Sequence, residues 1–334
     1  MIEALWQELK AETDQQRLSA GIIRRRIHPE SRQDLFLALE RPDDNRMLLL
    51  RIPADAMPPR DRLPEAEGFV LTPVALPDDG NCVTLMLRLA DQRYRDIFTV
   101  LVEDVVAAVT LAPDESRMLN ILLSRLLAWQ RFLAAQGPEG LGKEAQQGLY
   151  GELWFLYHLL IEAVGEQRAV QAWTGPSGAP HDFQLSHGAI EVKTTATKQL
   201  QQIRVSNERQ LDETHLPRLW LFHLSLDVSQ TDGESLPDMV NVMRQRLTAD
   251  PLSFQMFELA LLAAGYLDTH AERYQQHRYH IREQNVFHVR AAFPRIIESD
   301  LRSGVGDVHY AISVAECKHY AIGIDAFISG IREE

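Results

Sequence analysis

The feature that most constrains this chain is a short hairpin pattern near its middle. Residues 180–185 are typical of a strand, residues 186–188 of a turn, and residues 189–193 of a returning strand. The returning strand is apolar except for Glu191 and Lys193, which flank Val192. Because side chains alternate along a strand, the two charged groups lie on one side and Val192 on the other. Buried charges are costly unless they are paired, so this strand is expected to carry a site.

The first strand supplies a second carboxylate at the same place. The turn brings Asp182 beside Glu191 at the open end of the hairpin. Phosphodiester hydrolysis needs a divalent metal beside the scissile phosphate, because negative charge builds on oxygen and water must be activated. Magnesium binds through a few carboxylates and keeps its other positions for water and phosphate. The sequence therefore predicts a metal site at Asp182 and Glu191, with the Val192 carbonyl as a third ligand and Lys193 beside it.

Residues on either side of the hairpin add candidates. Glu152 is the acidic residue within an almost wholly apolar helical stretch, residues 148–156. Downstream, a cationic run is suited to contact nucleic-acid phosphates; it comprises Lys198, Arg204 and Arg209. Gln210, one helix position further, is a candidate site residue as well.

These motifs resemble the PD-(D/E)XK nuclease superfamily. Pro180-x-Asp182 and Glu191-x-Lys193 match its name motif, with His181 between the proline and the aspartate. The chain is similar to a bacterial family of PD-(D/E)XK motif proteins along most of its length, including residues 151–153 and 293–296. The resemblance implies an α/β, restriction-endonuclease-like core with a mixed four-stranded sheet flanked by helices, within a chain that is α+β overall.

The resemblance also implies an activity and roles for residues. Asp182 and Glu191 bind Mg²⁺, for which Mn²⁺ is a substitute, while Lys193 orients the attacking water and stabilises charge. Glu152 is the helical acidic residue that some members add. The substrate is DNA, and the setting is a restriction-modification or phage-defence system with a DNA methyltransferase or an ATPase as partner.

The remaining patterns predict three regions: a β-rich N-terminal domain with a closing helix (1–137), the nuclease core (138–232), and an α+β C-terminal extension packed on the core (233–334). Expected strands are 34–40, 46–52, 68–74, 82–87, 203–205 and 219–228, with alternating apolar stretches at 279–291 and 308–314. Expected helices are 2–13, 114–135, 143–164, 206–211 and 236–247, followed by one that ends at 265–266.

Composition narrows the class of protein. A net charge of −13 disfavours a general nucleic-acid binder, although a local basic strip can serve DNA on an acidic protein. Two cysteines exclude a disulfide framework and indicate a reducing cytoplasm. No secretory signal or membrane span is expected, because the apolar runs are short.

Several alternatives stay open on the sequence. The spacing of Asp182, Glu191 and Lys193 recurs at Asp307, Glu316 and Lys318. Only a short tail follows this second copy, so the first copy is preferred. Residues 24–26, three consecutive arginines, are most simply a charged strand edge. His181, as a loop histidine, is expected to be exposed to solvent.

Two other functions compete with DNA cleavage. A non-cleaving subunit that keeps the nuclease fold to hold DNA or a partner is favoured by the acidic charge, whereas the intact Asp182, Glu191 and Lys193 set favours the enzyme. An RNA-processing nuclease has no feature that separates it from a DNA nuclease, and a homodimer is also compatible with the sequence.

Overall fold

The computed structural model describes residues 2–59, 63–75, 80–135, 138–197 and 201–332. The chain divides into two compact units, Met1–Glu139 and Gly140–Glu334. Within the described ranges, no helix combines the length and the apolar character that a membrane crossing requires.

The first unit is a six-stranded antiparallel sheet with three helices. The strand order is β1-β2-β3-β6-β5-β4, so the alternating apolar runs of the sequence do form neighbouring strands. Its strands are β1 (Gly21–Ile27), β2 (Leu35–Arg41), β3 (Asn45–Pro53), β4 (Glu65–Ala66), β5 (Phe69–Val74) and β6 (Cys82–Leu89). Its helices are α1 (Ile2–Gln15), α2 (Arg95–Thr110) and α3 (Glu115–Ala135).

The three consecutive arginines lie on β1, at the edge of this sheet, as the simple interpretation expects. Their charges are met by neighbours within the unit. Arg25 is paired with Glu8 at 2.6 Å and with Glu12 at 3.0 Å. Arg26 is paired with Asp34 at 2.8 Å, and the Arg24 guanidinium lies 5.3 Å from the ring centre of Phe36.

The second unit is built on a mixed sheet in the order β11-β12-β10-β8-β7, with β14 paired to β12. Its strands are β7 (Phe183–Leu185), β8 (Gly188–Thr195), β9 (Gln202–Val205), β10 (Leu219–Ser229), β11 (Glu234–Ser235), β12 (Arg278–Val289), β13 (Tyr310–Ser313) and β14 (Ala321–Ile322). Its helices are α4 (Lys143–Phe155), α5 (Ile161–Val164), α6 (Glu166–Ala172), α7 (Leu236–Leu247), α8 (Pro251–Ala263), α9 (Ala271–Tyr274), α10 (Val314–Cys317) and α11 (Ile324–Arg332).

Strand directions in this sheet are mixed, which confirms the predicted fold class. β7 is antiparallel to β8, β8 is parallel to β10, and β10 is antiparallel to β12. β12 comes from the region predicted as a C-terminal extension, yet it pairs with β10 along the whole length of that strand. β9 and β13 form a separate two-stranded sheet.

Both faces of this sheet are covered, and the two faces of β8 pack into different cores. Ile190 and Val192 lie in an apolar cluster with residues of α4. Ala189 packs with Ile203, Leu219 and others on the opposite face. The helix predicted over residues 143–164 is continuous through a π-helical turn, Leu156–Leu160, that joins α4 to α5.

One expectation about local structure is wrong, and one helix was not predicted. Residues 206–211 form turns instead of a helix, and side chains of the segment bind its backbone N–H groups. The Gln210 Oε1 accepts from the Ser206 N–H at 2.8 Å, and the Asn207 Oδ1 accepts from the Arg209 N–H at 3.0 Å. Helix α2, in turn, is not expected from the sequence, because its valine-rich run is equally typical of a strand.

Candidate active site

The hairpin of β7 and β8 places Asp182 and Glu191 together. Phe183 pairs with Ile190, so the next step of the register sets Asp182 opposite Glu191. Asp182 lies where β7 pairing stops, and its Oδ2 accepts from the Val192 N–H at 2.7 Å. A strand residue directs its N–H and C=O to the same neighbour. The Val192 carbonyl therefore lies on the Asp182 side of β8.

Glu191 is fully buried, and the Lys193 ammonium group forms an ion pair with it. The Lys193 Nζ lies 2.8 Å from the Glu191 Oε1, and the Glu191 side chain is 1% exposed. Among the described residues, neither Glu191 oxygen has a well-aligned hydrogen-bond donor, so its contact with Lys193 is an ion pair. A buried carboxylate in this condition is suited to a cation.

Gln210 forms a hydrogen bond with Lys193. The Lys193 Nζ donates to the Gln210 Oε1 at 3.2 Å, and the same oxygen holds the turn at Ser206. One amide therefore fixes both the ammonium group and the loop above it.

Glu152 reaches the same place from helix α4. Its Oε2 accepts from the Trp173 indole N–H at 2.8 Å. α4 can approach β8 closely because Gly151 lacks a side chain: a Cβ at this position would lie 2.1 Å from the Thr194 Cγ2. The glycine next to Glu152 thus sets the distance between the helix and the strand that carries Glu191.

The electrostatics show three carboxyl groups that share one low-dielectric region. Burial, reinforced by the charge of Asp182, raises the pKa of Glu191 to about 8, against the opposing effect of Lys193. Burial, followed by the charge of Asp182, also raises the pKa of Glu152 well above its usual range. Burial raises the pKa of Asp182 too, although Lys193 opposes the shift. Burial disfavours the charge of Lys193, but Glu191 and Asp182 outweigh it and raise the pKa of the ammonium group.

The donor set fits a hard divalent cation. In the described parts of the chain, no group of three or more His, Cys, Asp or Glu side chains is placed to hold a metal ion. Magnesium does not require one, because it binds through one or two carboxylates and retains waters. Asp182, Glu191 and the Val192 carbonyl present oxygen only, and the carboxylates repel one another until a positive charge lies among them.

Two of the three predicted phosphate-binding residues, Arg204 and Arg209, are exposed. Arg204 is 82% exposed and is paired only weakly with the exposed Glu144, at 3.4 Å. Arg209 is 65% exposed, with its Nε 4.0 Å from the Glu208 Oε1. Lys198 lies outside the described residues.

The second copy of the motif forms a different structure. Asp307 has a positive φ of 53° and lies outside any strand. Glu316 belongs to the short helix α10, and both Glu316 and Lys318 are exposed. This copy therefore has no strand pair on which carboxylates could meet.

His181 differs from its expected exposure. Its side chain is 6% exposed, and neither ring nitrogen has a hydrogen-bond partner among the residues that the structure describes. The Thr174 hydroxyl donates to the His181 carbonyl at 3.2 Å, which draws residue 181 inward. Sequence reasoning also missed Trp173, because a tryptophan beside a predicted loop carries no signal of a bond to a distant helix.

Of the comparisons with known proteins, one identifies a family. No curated protein and no solved structure matches the chain. A model of the family described as "Putative PD-(D/E)XK family member, (DUF4420)" matches residues 2–315, nearly the whole chain. The carboxylate hairpin, the mixed sheet and this match lead to one assignment: the chain belongs to the DUF4420 family, a PD-(D/E)XK-type family with a nuclease-like fold.

Proposed function

We propose that this protein is a metal-dependent DNA endonuclease that hydrolyses phosphodiester bonds. The observation that carries the proposal is the meeting of Asp182, Glu191 and Lys193 at one end of the β7–β8 hairpin. Burial of the Glu191 carboxylate beside Asp182 and Lys193 is costly for folding, and such a set is suited to metal-dependent hydrolysis of a phosphodiester.

In this proposal Asp182, Glu191 and the Val192 carbonyl hold Mg²⁺, or Mn²⁺ in its place. The bound ion supplies positive charge beside the scissile phosphate and lowers the pKa of water. Glu152 adds a carboxylate from α4. Lys193, held by Gln210, orients the attacking water and stabilises negative charge on the phosphate oxygens.

The DNA, partner and cellular assignments are proposals on the same basis. Membership of a nuclease-like family supports DNA as substrate. Lys198, Arg204 and Arg209 are the proposed phosphate contacts, since Arg204 and Arg209 are well exposed. The proposed setting is bacterial restriction or phage defence alongside a DNA methyltransferase or an ATPase. Both cysteines are free thiols, in keeping with a reducing cytoplasm.

The test is a plasmid nicking assay with Mg²⁺, Mn²⁺ or EDTA on methylated and unmethylated DNA, alone and with neighbouring gene products. Glu191→Gln is expected to remove metal-dependent nicking, whereas Glu316→Gln, in the exposed copy of the motif, is expected to leave it unchanged. Loss of nicking in Glu316→Gln alone would move the active site to the second copy.

The second candidate function is a non-cleaving subunit that keeps the nuclease fold to bind DNA or a partner. The net charge of −13 favours it, because DNA binding by an acidic protein gains little from the overall field. DNA binding without nicking under every metal and partner condition would select this function over the nuclease.

A further inference from the structure

We propose that Trp173 and the turn that follows it position the carboxylates of Glu152 and Asp182, so that this segment acts as a positioning element for metal binding. The inference rests on the proposed function, because it concerns the same metal centre. The segment, residues 173–175, joins helix α6 to the loop before β7.

Trp173 acts on Glu152 through its side chain. The indole N–H donates to the Glu152 Oε2 at 2.8 Å. The indole is 4% exposed and stacks on Phe257 of helix α8, with ring centres 5.9 Å apart. A ring confined in this way cannot follow a moving carboxylate. The carboxylate is instead held where the ring places it, on the side of α4 that faces Asp182.

Thr174 and Gly175 act on Asp182 through the main chain. Both backbone N–H groups donate to the Asp182 carbonyl at 2.9 Å. Gly175 is also in close contact with the same residue: a Cβ on it would lie 2.9 Å from the Asp182 Oδ1 and 3.1 Å from the Asp182 Cα. The turn therefore determines both the backbone position and the side-chain space of Asp182.

A purely structural role does not account for the bond to Glu152. The fold needs the aromatic ring of Trp173 for packing, and phenylalanine would provide that contact. The N–H group, however, meets a carboxylate that the charges of Asp182 and of the buried Glu191 also affect. Outer-shell donors of this kind hold metal-binding side chains in a single orientation, and their loss typically costs about 10- to 100-fold in metal affinity or activity.

The test measures metal affinity directly, by calorimetric titration of the full-length protein with Mg²⁺ and Mn²⁺. Trp173→Phe is expected to weaken binding by roughly 10-fold or more. Trp220→Phe is the matched control, because Trp220 is also a buried tryptophan of the second unit and packs edge to face against Phe327. This variant is expected to bind metal like the wild type. A double-mutant cycle with Glu152→Ala is expected to be non-additive, because each change removes one partner of the same bond.

Each outcome is decisive. Equal metal affinity of Trp173→Phe and Trp220→Phe, or additive effects in the cycle with Glu152→Ala, would overturn the inference and leave the proposed nuclease intact. A wild-type protein that binds neither ion would overturn the proposed function and the inference together. If Trp173→Phe does not fold, Gly175→Ala serves instead, with Gly148→Ala as control, because a Cβ on Gly148 meets no atom within 4 Å. Unchanged metal affinity of Gly175→Ala would then refute the positioning role of the turn.

Discussion

Gly151 provides the sharpest test of how the fold builds the site. In Gly151→Ala the new methyl group would lie 2.1 Å from the Thr194 Cγ2, far inside the 3.4 Å of ordinary contact. Thr194 is held on β8, so helix α4 must move away from the strand by more than 1 Å or Thr194 must change rotamer. Overpacking of this kind costs about 1–3 kcal/mol of folding free energy.

The matched variant is Gly148→Ala, one turn earlier on the same helix. No atom lies within 4 Å of a Cβ at that position, so the change gains about 1 kcal/mol of helix propensity without a clash. The same propensity gain applies to Gly151→Ala. The two variants are therefore expected to differ by the clash alone, about 1–3 kcal/mol in the free energy of unfolding measured with urea.

A third variant identifies the atom responsible. Thr194→Ser removes the Cγ2 that the new methyl group meets, so Gly151→Ala with Thr194→Ser is expected to recover most of the lost stability. Gly151→Ala should also weaken metal binding, and Thr194→Ser should restore it, because the helix that moves carries Glu152. The reasoning is refuted if Gly151→Ala is as stable as Gly148→Ala, or if the serine substitution gives no rescue.

Two further predictions concern the charges of the site. Lys193→Ala is expected to reduce the rate of cleavage by about 10²-fold or more. The loss of DNA affinity in a filter-binding assay should be much smaller. Loss of DNA binding with an unchanged cleavage rate at saturating DNA would make Lys193 a binding residue only. The second prediction concerns stability in EDTA, where the free energy of unfolding is expected to fall as pH rises from 4.5 to about 8. In this range the unfolded chain has released the Glu191 proton, whereas the folded state still holds it. One proton contributes a slope of at most about 1.4 kcal/mol per pH unit. The stability profile of Glu191→Gln should be flatter over this pH window, and this variant should be more stable than the wild type at the upper end. Parallel profiles of the two proteins would contradict the assigned burial of Glu191.

The parts of the site that could be predicted from sequence are those that depend on local pattern. The alternation around Val192 is a property of any strand, and the turn at residues 186–188 brings the two strands together without help from distant residues. Helix α7 begins and ends at the predicted residues. Its start is local, because Ser235 caps it and the Ser235 side chain accepts from the Asp238 N–H.

The parts that could not be predicted depend on long-range contacts or on competition between local structures. Trp173 lies 21 residues from Glu152 in the chain, and nothing in its neighbours indicates that bond. Gln210 was expected on a helix, yet its carbonyl oxygen binds the backbone at Ser206 and the Lys193 ammonium group. Its nearness to Lys193 is therefore produced by the turn that replaced the helix.

The two copies of the acidic motif show why spacing does not define a metal site. Asp182 and Glu191 are nine residues apart, as are Asp307 and Glu316. Only in the first copy does the register of a strand pair set the aspartate opposite the glutamate, so that burial and the charge of Asp182 raise the pKa of Glu191. In the second copy Glu316 is on an exposed helical turn, where water screens its charge and no cation is needed. The chemistry of the first copy follows from burial of like charges, which the fold imposes and which a cation among the carboxylates relieves.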